Sequence, residues 1–154
     1  MNNYAFRSIC IFIILSILPS IVFSQTYGKI FTKVEADSLF GPVVEKQLLE
    51  KVVLEEALKK TDKVAMFKIL NNKLTILGDK RAKVLNTTNN IMDSTTNYVN
   101  SDEIFHTYSK TKLEELLKLG GEKETFVENR ADVLTLTNGV FTLEAGTDCP
   151  PNCD

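Results

Sequence analysis

Two cysteines near the end of the chain have the spacing of a small closed ring. Cys149 and Cys153 enclose the tripeptide Pro150-Pro151-Asn152. A polyproline-like spacer would hold the two Cα atoms about 12 Å apart, whereas a disulfide needs about 4.4 to 6.8 Å. We therefore expect a β-turn centred on Pro151 and Asn152, closed by one intramolecular disulfide.

Three other uses of this cysteine pair stay open. The pair could link the chain to another chain, or it could be redox-active, although the spacing is not C-x-x-C and no thioredoxin-like βαβ pattern surrounds it. A metal site is a further alternative, but two thiolates supply only half of a tetrahedral shell and no histidine stands nearby in sequence. We predict no metal site and no cofactor.

His106 is the only histidine of the chain and its only side chain with an ordinary pKa near neutrality. As a general base it would need an orienting carboxylate, and Asp102 and Glu103 are close in sequence. Its place in the predicted strand 104–108 is more typical of a partly buried, hydrogen-bonded imidazole. His106 is therefore a weak catalytic candidate, because no G-x-S-x-G, H-E-x-x-H, EF-hand or Walker pattern accompanies it.

Polar residues in two connecting segments are the candidates for ligand binding. Asp79 and Arg81 lie in the turn Leu-Gly-Asp-Lys-Arg, which could hold an anion although one glycine does not make a phosphate loop. Asn86, Tyr98 and Asp102 lie in a segment rich in Asn, Thr and Ser, and long loops are often functional. The alternative is a surface meander without function. Asn86 also begins an Asn-x-Thr glycosylation pattern.

The first 24 residues have the pattern of a signal peptide. Arg7 precedes the apolar run 9–18, and Val22 and Ser24 suit the −3 and −1 positions of a cleavage site, so Gln25 would be the mature N-terminus. An uncleaved anchor is the alternative, but the apolar run is shorter than the roughly 20 residues of a membrane span. We predict a secreted or periplasmic protein whose mature chain has no transmembrane segment.

The predicted mature chain has 17 basic and 20 acidic side chains and no basic block, so nucleic acid is not an expected partner. We divide the chain into the signal peptide 1–24, one domain over 25–148 and a tail over 149–154. No internal repeat is predicted.

Apolar periodicity and capping residues predict two or three helices, over 33–39, 43–60 and 110–119. The first begins with a capping box, Thr32 followed by Glu35. The second contains two pairs of β-branched valines, so its first half could instead be a strand leading into a shorter helix over 51–60.

Two hairpins are predicted, over 64–77 and 133–145. Both turn at a two-residue loop, Asn71-Asn72 in the first and Asn138-Gly139 in the second. In the second hairpin this loop would pair Leu136 with Phe141 and Leu134 with Leu143 on an apolar face, leaving a threonine face opposite. We predict an α+β fold with a mainly antiparallel sheet covered on one side by helices. This arrangement is similar to cystatin-like and other small α+β folds, a likeness that implies no function.

These observations favour a small exported binding or interaction module without catalysis, acting on an unknown protein or small molecule. One alternative is a secreted hydrolase-like enzyme that uses His106 with a nearby carboxylate. Another is a structural subunit of a cell envelope.

Overall fold

The computed structural model describes residues 26–85, 103–121, 124–131, 133–144 and 147–149. The predictions for the signal peptide, for the loop 86–102 and for Cys153 fall outside these residues and stay predictions. The helices of the described part are α1 (Lys33–Phe40), α2 (Lys51–Lys59) and α3 (Lys110–Gly120). Its strands are β1 (Lys29–Thr32), β2 (Glu45–Leu49), β3 (Val64–Leu70), β4 (Lys73–Leu77), β5 (Lys83–Leu85), β6 (Phe105–Ser109), β7 (Thr125–Arg130), β8 (Val133–Thr137), β9 (Phe141–Glu144) and β10 (Thr147–Cys149).

The strands form two antiparallel sheets, so the predicted α+β class is confirmed. The first sheet has the order β1-β9-β8-β7-β2, and the second has the order β10-β6-β3-β4-β5. Cys149, the first residue of the predicted tail, is the last residue of β10 and is fully buried.

One hydrophobic core joins both sheets to α2 and α3. Leu134, Leu136 and Leu143 face it as predicted, and Phe141 is half-buried against it. Leu54, Ala57 and Leu58 of α2 and Leu113, Leu116 and Leu117 of α3 complete the same cluster.

The other face of the first sheet is covered as well, which corrects the prediction of a sheet covered on one side. Thr135, Thr137 and Thr142 are buried there, rather than forming a solvated face. α1 packs over β1 and β9, with Ala36 fully buried and the Phe40 ring edge-on to Phe31 at 5.3 Å between centroids. The capping box of Thr32 and Glu35 starts this helix as predicted.

The single helix predicted over 43–60 is wrong, and the alternative of a strand followed by a shorter helix is correct. β2 pairs with β7, which places Leu49 opposite Thr125, and α2 begins only at Lys51. The valines before β2 favour extended backbone. Edge pairing with β7 then satisfies backbone groups that a longer helix would have satisfied internally.

The hairpin of β3 and β4 is confirmed in its register. Ile69 faces Leu74 and Phe67 faces Ile76, and both loop residues have the positive φ of a two-residue turn, 52° at Asn71 and 58° at Asn72.

The register predicted for β8 and β9 is wrong by two residues. Leu136 faces Leu143 and Thr137 faces Thr142, because the connection is longer than Asn138-Gly139. The Asn138 side chain explains the difference: its Oδ1 accepts from the backbone N–H of Val140 and Phe141 at 3.0 and 2.8 Å. A shift of two leaves each residue on its predicted face, since side chains alternate along a strand.

The fold contains an internal repeat, contrary to the prediction. The first unit is β2-α2-β3-β4-β5, and the second unit is β6-α3-β7-β8-β9. The register of the β3–β4 pair agrees with that of the β7–β8 pair: Met66 faces Leu77, and 60 positions later Phe126 faces Thr137. The first strand of each unit pairs with a strand of the other unit: β2 pairs with β7, and β6 pairs with β3. The two units are therefore related by an approximate two-fold exchange.

Candidate functional site: a lysine-rimmed helix groove

α2 and α3 lie side by side at the centre of this exchange and run antiparallel. Lys51, the first residue of α2, donates from Nζ to the Gly121 carbonyl just beyond α3 at 2.7 Å. Lys110, the first residue of α3, donates from Nζ to the Thr61 carbonyl just beyond α2 at 2.7 Å. Each helix thus satisfies a carbonyl at the C-terminal end of the other, where a positive charge is favoured.

The two helices leave a groove of about 460 Å³ between them, which we call the helix groove. Leu58 and Leu117 contribute its apolar lining, and both are nearly buried. Its polar lining consists of four lysines and two glutamates: Lys51, Lys59, Lys110, Lys118, Glu55 and Glu114. The lining therefore carries a formal charge of +2, and its volume is within the range of small-molecule pockets.

The lysines of the helix groove are held in different ways. Lys51 lies 3.9 Å from Glu55, in addition to its bond to the Gly121 carbonyl. Lys59 pairs with Glu56, and this hydrogen bond raises the pKa of Lys59 above its ordinary value. Within the residues that the structure describes, no hydrogen bond or ion pair engages the ammonium of Lys118. A cation at this position is available to an anion.

His106 has a carboxylate partner that is distant from it in sequence. His106 Nδ1 lies 3.1 Å from Asp148 Oδ1 across the pairing of β6 with β10. Burial lowers the pKa of His106, and the charge of Asp148 offsets part of this effect. Glu103 instead pairs with Lys68 at 3.1 Å.

The surroundings of this histidine contain acidic and phenolic groups. Burial raises the pKa of Glu144, and the charge of Asp148 raises it further. Tyr108 is fully buried, and its hydroxyl donates to the Leu134 carbonyl. In the described segments, no serine, threonine or cysteine is hydrogen-bonded to His106.

Asp79 and Arg81, the predicted binding residues that the structure describes, form hydrogen bonds with backbone groups. The Asp79 carboxylate accepts from the N–H groups of Lys63 and Val64 at 3.1 and 3.2 Å. Arg81 donates to the Glu103 carbonyl at 3.0 Å, and its guanidinium lies 5.1 Å from the Phe105 ring centroid. None of the residues in these contacts lines the helix groove.

The other predicted residues are only partly accounted for. Asn86, Tyr98 and Asp102 lie outside the described residues, as does Cys153. Cys149 is buried, with its Sγ 3.8 Å from Arg81 Nη1, and its disulfide with Cys153 stays a prediction.

A buried ionic cluster lies on the α1 side of the first sheet. Arg130 is fully buried and donates to Asp37 Oδ1 and Glu128 Oε2, both at 2.8 Å. It also donates to the Gly41 carbonyl at 2.9 Å, and Lys46 lies 3.6 Å from Glu128. Burial by itself would lower the pKa of Arg130, but the bonds to Asp37 and Glu128 raise it above its ordinary value. The cluster joins α1 to β7.

The helix groove was not predicted from the sequence, although the helices that form it share a repeated sequence motif. The motif K-x-x-L-E-E-x-L-K occurs at 51–59 and again at 110–118. Its leucines at the fourth and eighth positions enter the core, and its lysines and first glutamate line the helix groove.

Among the described residues, no helix is long and apolar enough to cross a membrane. Within those same ranges, no group of three or more His, Cys, Asp or Glu side chains is arranged to hold a metal ion. Comparison with known protein families, with curated proteins and with solved structures gives no match to this chain. Its function must therefore be inferred from the geometry of its own residues.

Proposed function

We propose that this chain is an exported, non-catalytic binding module whose helix groove holds a small anionic ligand with an apolar part. The observation that carries the proposal is the combination of a leucine lining with an excess of lysines in one groove of about 460 Å³. An anion gains from the lysine ammonium groups, and an aliphatic segment gains by covering the aliphatic stems of the lysines, because Leu58 and Leu117 at the base of the groove are only 3% and 7% exposed. The signal-peptide pattern of residues 1–24 supports export.

Titration calorimetry with decanoate, and with decanol as the uncharged control, tests this proposal. We expect decanoate to bind and decanol to bind more weakly. Replacing Lys59 and Lys118 together by alanine should weaken decanoate binding by up to about fivefold for each lysine, as for exposed ion pairs.

Lys73→Ala, at the exposed start of β4 and outside the helix groove, is the matched control and should bind decanoate normally. No decanoate binding, or equal effects of the groove and control variants, would contradict the proposal.

A hydrolase-like enzyme is the second candidate, because His106 and Asp148 are in contact at 3.1 Å. Turnover of activated carboxylic and phosphate esters should be compared between the wild-type chain and His106→Gln. We expect no turnover that depends on His106. Ester hydrolysis that disappears in His106→Gln would favour the enzyme.

Export and the disulfide have direct tests of their own. N-terminal sequencing of the mature protein should begin at Gln25. Mass spectrometry without reductant should find Cys149 and Cys153 joined within one chain and protected from alkylation. A full-length product, or alkylation of Cys153 without reduction, would remove the corresponding part of the proposal.

A further inference from the structure

We infer that the ligand of the helix groove is linear and carries a negative charge at each end, as an α,ω-dicarboxylate does. This inference rests on the proposed function and makes it more specific. It starts from the internal repeat, which gives every lining residue of α2 an equivalent 59 positions later in α3. The equivalent pairs are Lys51 and Lys110, Glu55 and Glu114, Leu58 and Leu117, and Lys59 and Lys118.

The antiparallel arrangement places these equivalents at opposite ends of the groove. Because Lys51 reaches the end of α3, it shares its end of the groove with Lys118. Because Lys110 reaches the end of α2, it shares the other end with Lys59. Each end therefore presents one lysine that is bonded to a carbonyl and one exposed lysine, which is paired with Glu56 in the case of Lys59 and has no hydrogen bond or ion pair to a described residue in the case of Lys118. A lysine ammonium has three donors, so the carbonyl-bonded lysines keep two for a ligand.

The middle of the helix groove carries negatively charged side chains, whereas its ends carry positively charged ones. Glu55 and Glu114 lie halfway between the lysines of their own helices, next to the leucine lining. Their carboxylates repel an anion placed at the centre, whereas an uncharged aliphatic segment is not repelled there. This pattern of charge favours an anion at both ends over one anion in the middle.

The spacing of the lysines sets the length of the ligand. The two lysines of each helix are eight residues apart, which corresponds to about 12 Å along the helix axis. Carbon–carbon bonds of roughly 1.5 Å advance an extended chain by about 1.25 Å each, so a dicarboxylate of about ten carbons covers this distance. A dicarboxylate of about six carbons covers only about half of it and cannot reach both ends.

Calorimetry with decanedioate, decanoate and hexanedioate tests the inference on the intact chain. We expect decanedioate to bind about fivefold more tightly than decanoate, because its second carboxylate meets a second pair of lysines. Hexanedioate should bind more weakly than either. Lys59→Ala and Lys118→Ala should each reduce decanedioate binding toward the level of decanoate, with the larger effect for Lys118→Ala because Lys59 is already paired with Glu56. Lys73→Ala should leave all three affinities unchanged.

The outcomes separate this inference from the proposed function. If decanoate binds and decanedioate binds no more tightly, the two-ended ligand is wrong and the anion-binding groove stands. If only one of the two lysine variants changes decanedioate binding, the symmetric arrangement is also wrong. If neither compound binds, the proposed function fails together with the inference.

Discussion

Replacing Arg130 by methionine should destabilise the protein strongly, because it leaves a buried carboxylate without its main partner. Methionine keeps the unbranched apolar stem but removes the guanidinium that contacts Asp37, Glu128 and the Gly41 carbonyl. The Glu128 side chain is 3% exposed, so solvent cannot replace the lost contact.

The magnitude follows from the burial of the two partners. Removing one member of a buried ion pair costs about 3 to 5 kcal/mol. Two features place Arg130→Met near the lower limit of that range. Lys46 stays 3.6 Å from Glu128, and the Asp37 side chain is 47% exposed and can be solvated. We expect the free energy of unfolding to fall by about 3 kcal/mol.

Urea denaturation of four proteins measures this effect: the wild type, Arg130→Met, Glu128→Leu and the double variant. The double variant should recover most of the lost stability, because exchanging both charges for apolar groups leaves no buried ion unpaired. A loss below about 1 kcal/mol in Arg130→Met would refute the reasoning. So would a double variant whose loss equals the sum of the two single losses.

Three further predictions concern single side chains. Burial holds the pKa of His106 below its ordinary 6.5, so the unfolded chain takes up the proton first, and stability should fall as the pH drops through 6.5. Denaturation at a series of pH values should find this dependence in the wild type and not in His106→Gln. Asn138→Ala should cost about 1 to 3 kcal/mol in urea denaturation, because Asn138 is buried and also donates to the Leu116 carbonyl at 3.0 Å. Asp79→Ala should cost about 0.5 to 2 kcal/mol, as the loss of a capping carboxylate does, and should speed hydrogen exchange of the Lys63 and Val64 amides. Unchanged exchange at those amides would contradict the role given to Asp79.

The sequence correctly predicted structural features that depend on interactions between neighbouring residues. Asn71 and Asn72 tolerate positive φ, so that hairpin has the predicted register, and the capping box of Thr32 and Glu35 starts α1 as predicted. Asn138-Gly139 carries an equally strong local signal, but the Asn138 side chain accepts from the N–H groups of Val140 and Phe141 and also donates to the Leu116 carbonyl of α3. These side-chain bonds, one of them tertiary, favour a longer connection than the two-residue turn.

The contacts of His106 and the helix groove could not be predicted from the sequence for a similar reason, since both depend on residues that are distant in the chain. The carboxylate that meets His106 is Asp148, 42 positions along the chain, and pairing of β6 with β10 brings them together. The helix groove depends on a repeat whose helices share a motif but whose strands do not: β3 reads VAMFKIL and β7 reads TFVENR. Strand pairing depends on backbone groups that any sequence supplies, so the common topology left little trace in the side chains.

The exchange of first strands between the two units has a consequence for folding. Leu49 reaches across 76 positions to pair with Thr125, so neither half can assemble its own sheet without the other. We therefore expect a single cooperative unfolding transition, with no species in which one half stays native. Contacts this distant must close long loops before they yield stabilisation, which makes refolding slower than in a helical bundle of equal length. In this respect the two units resemble the subunits of a strand-exchanged dimer that are joined in one polypeptide.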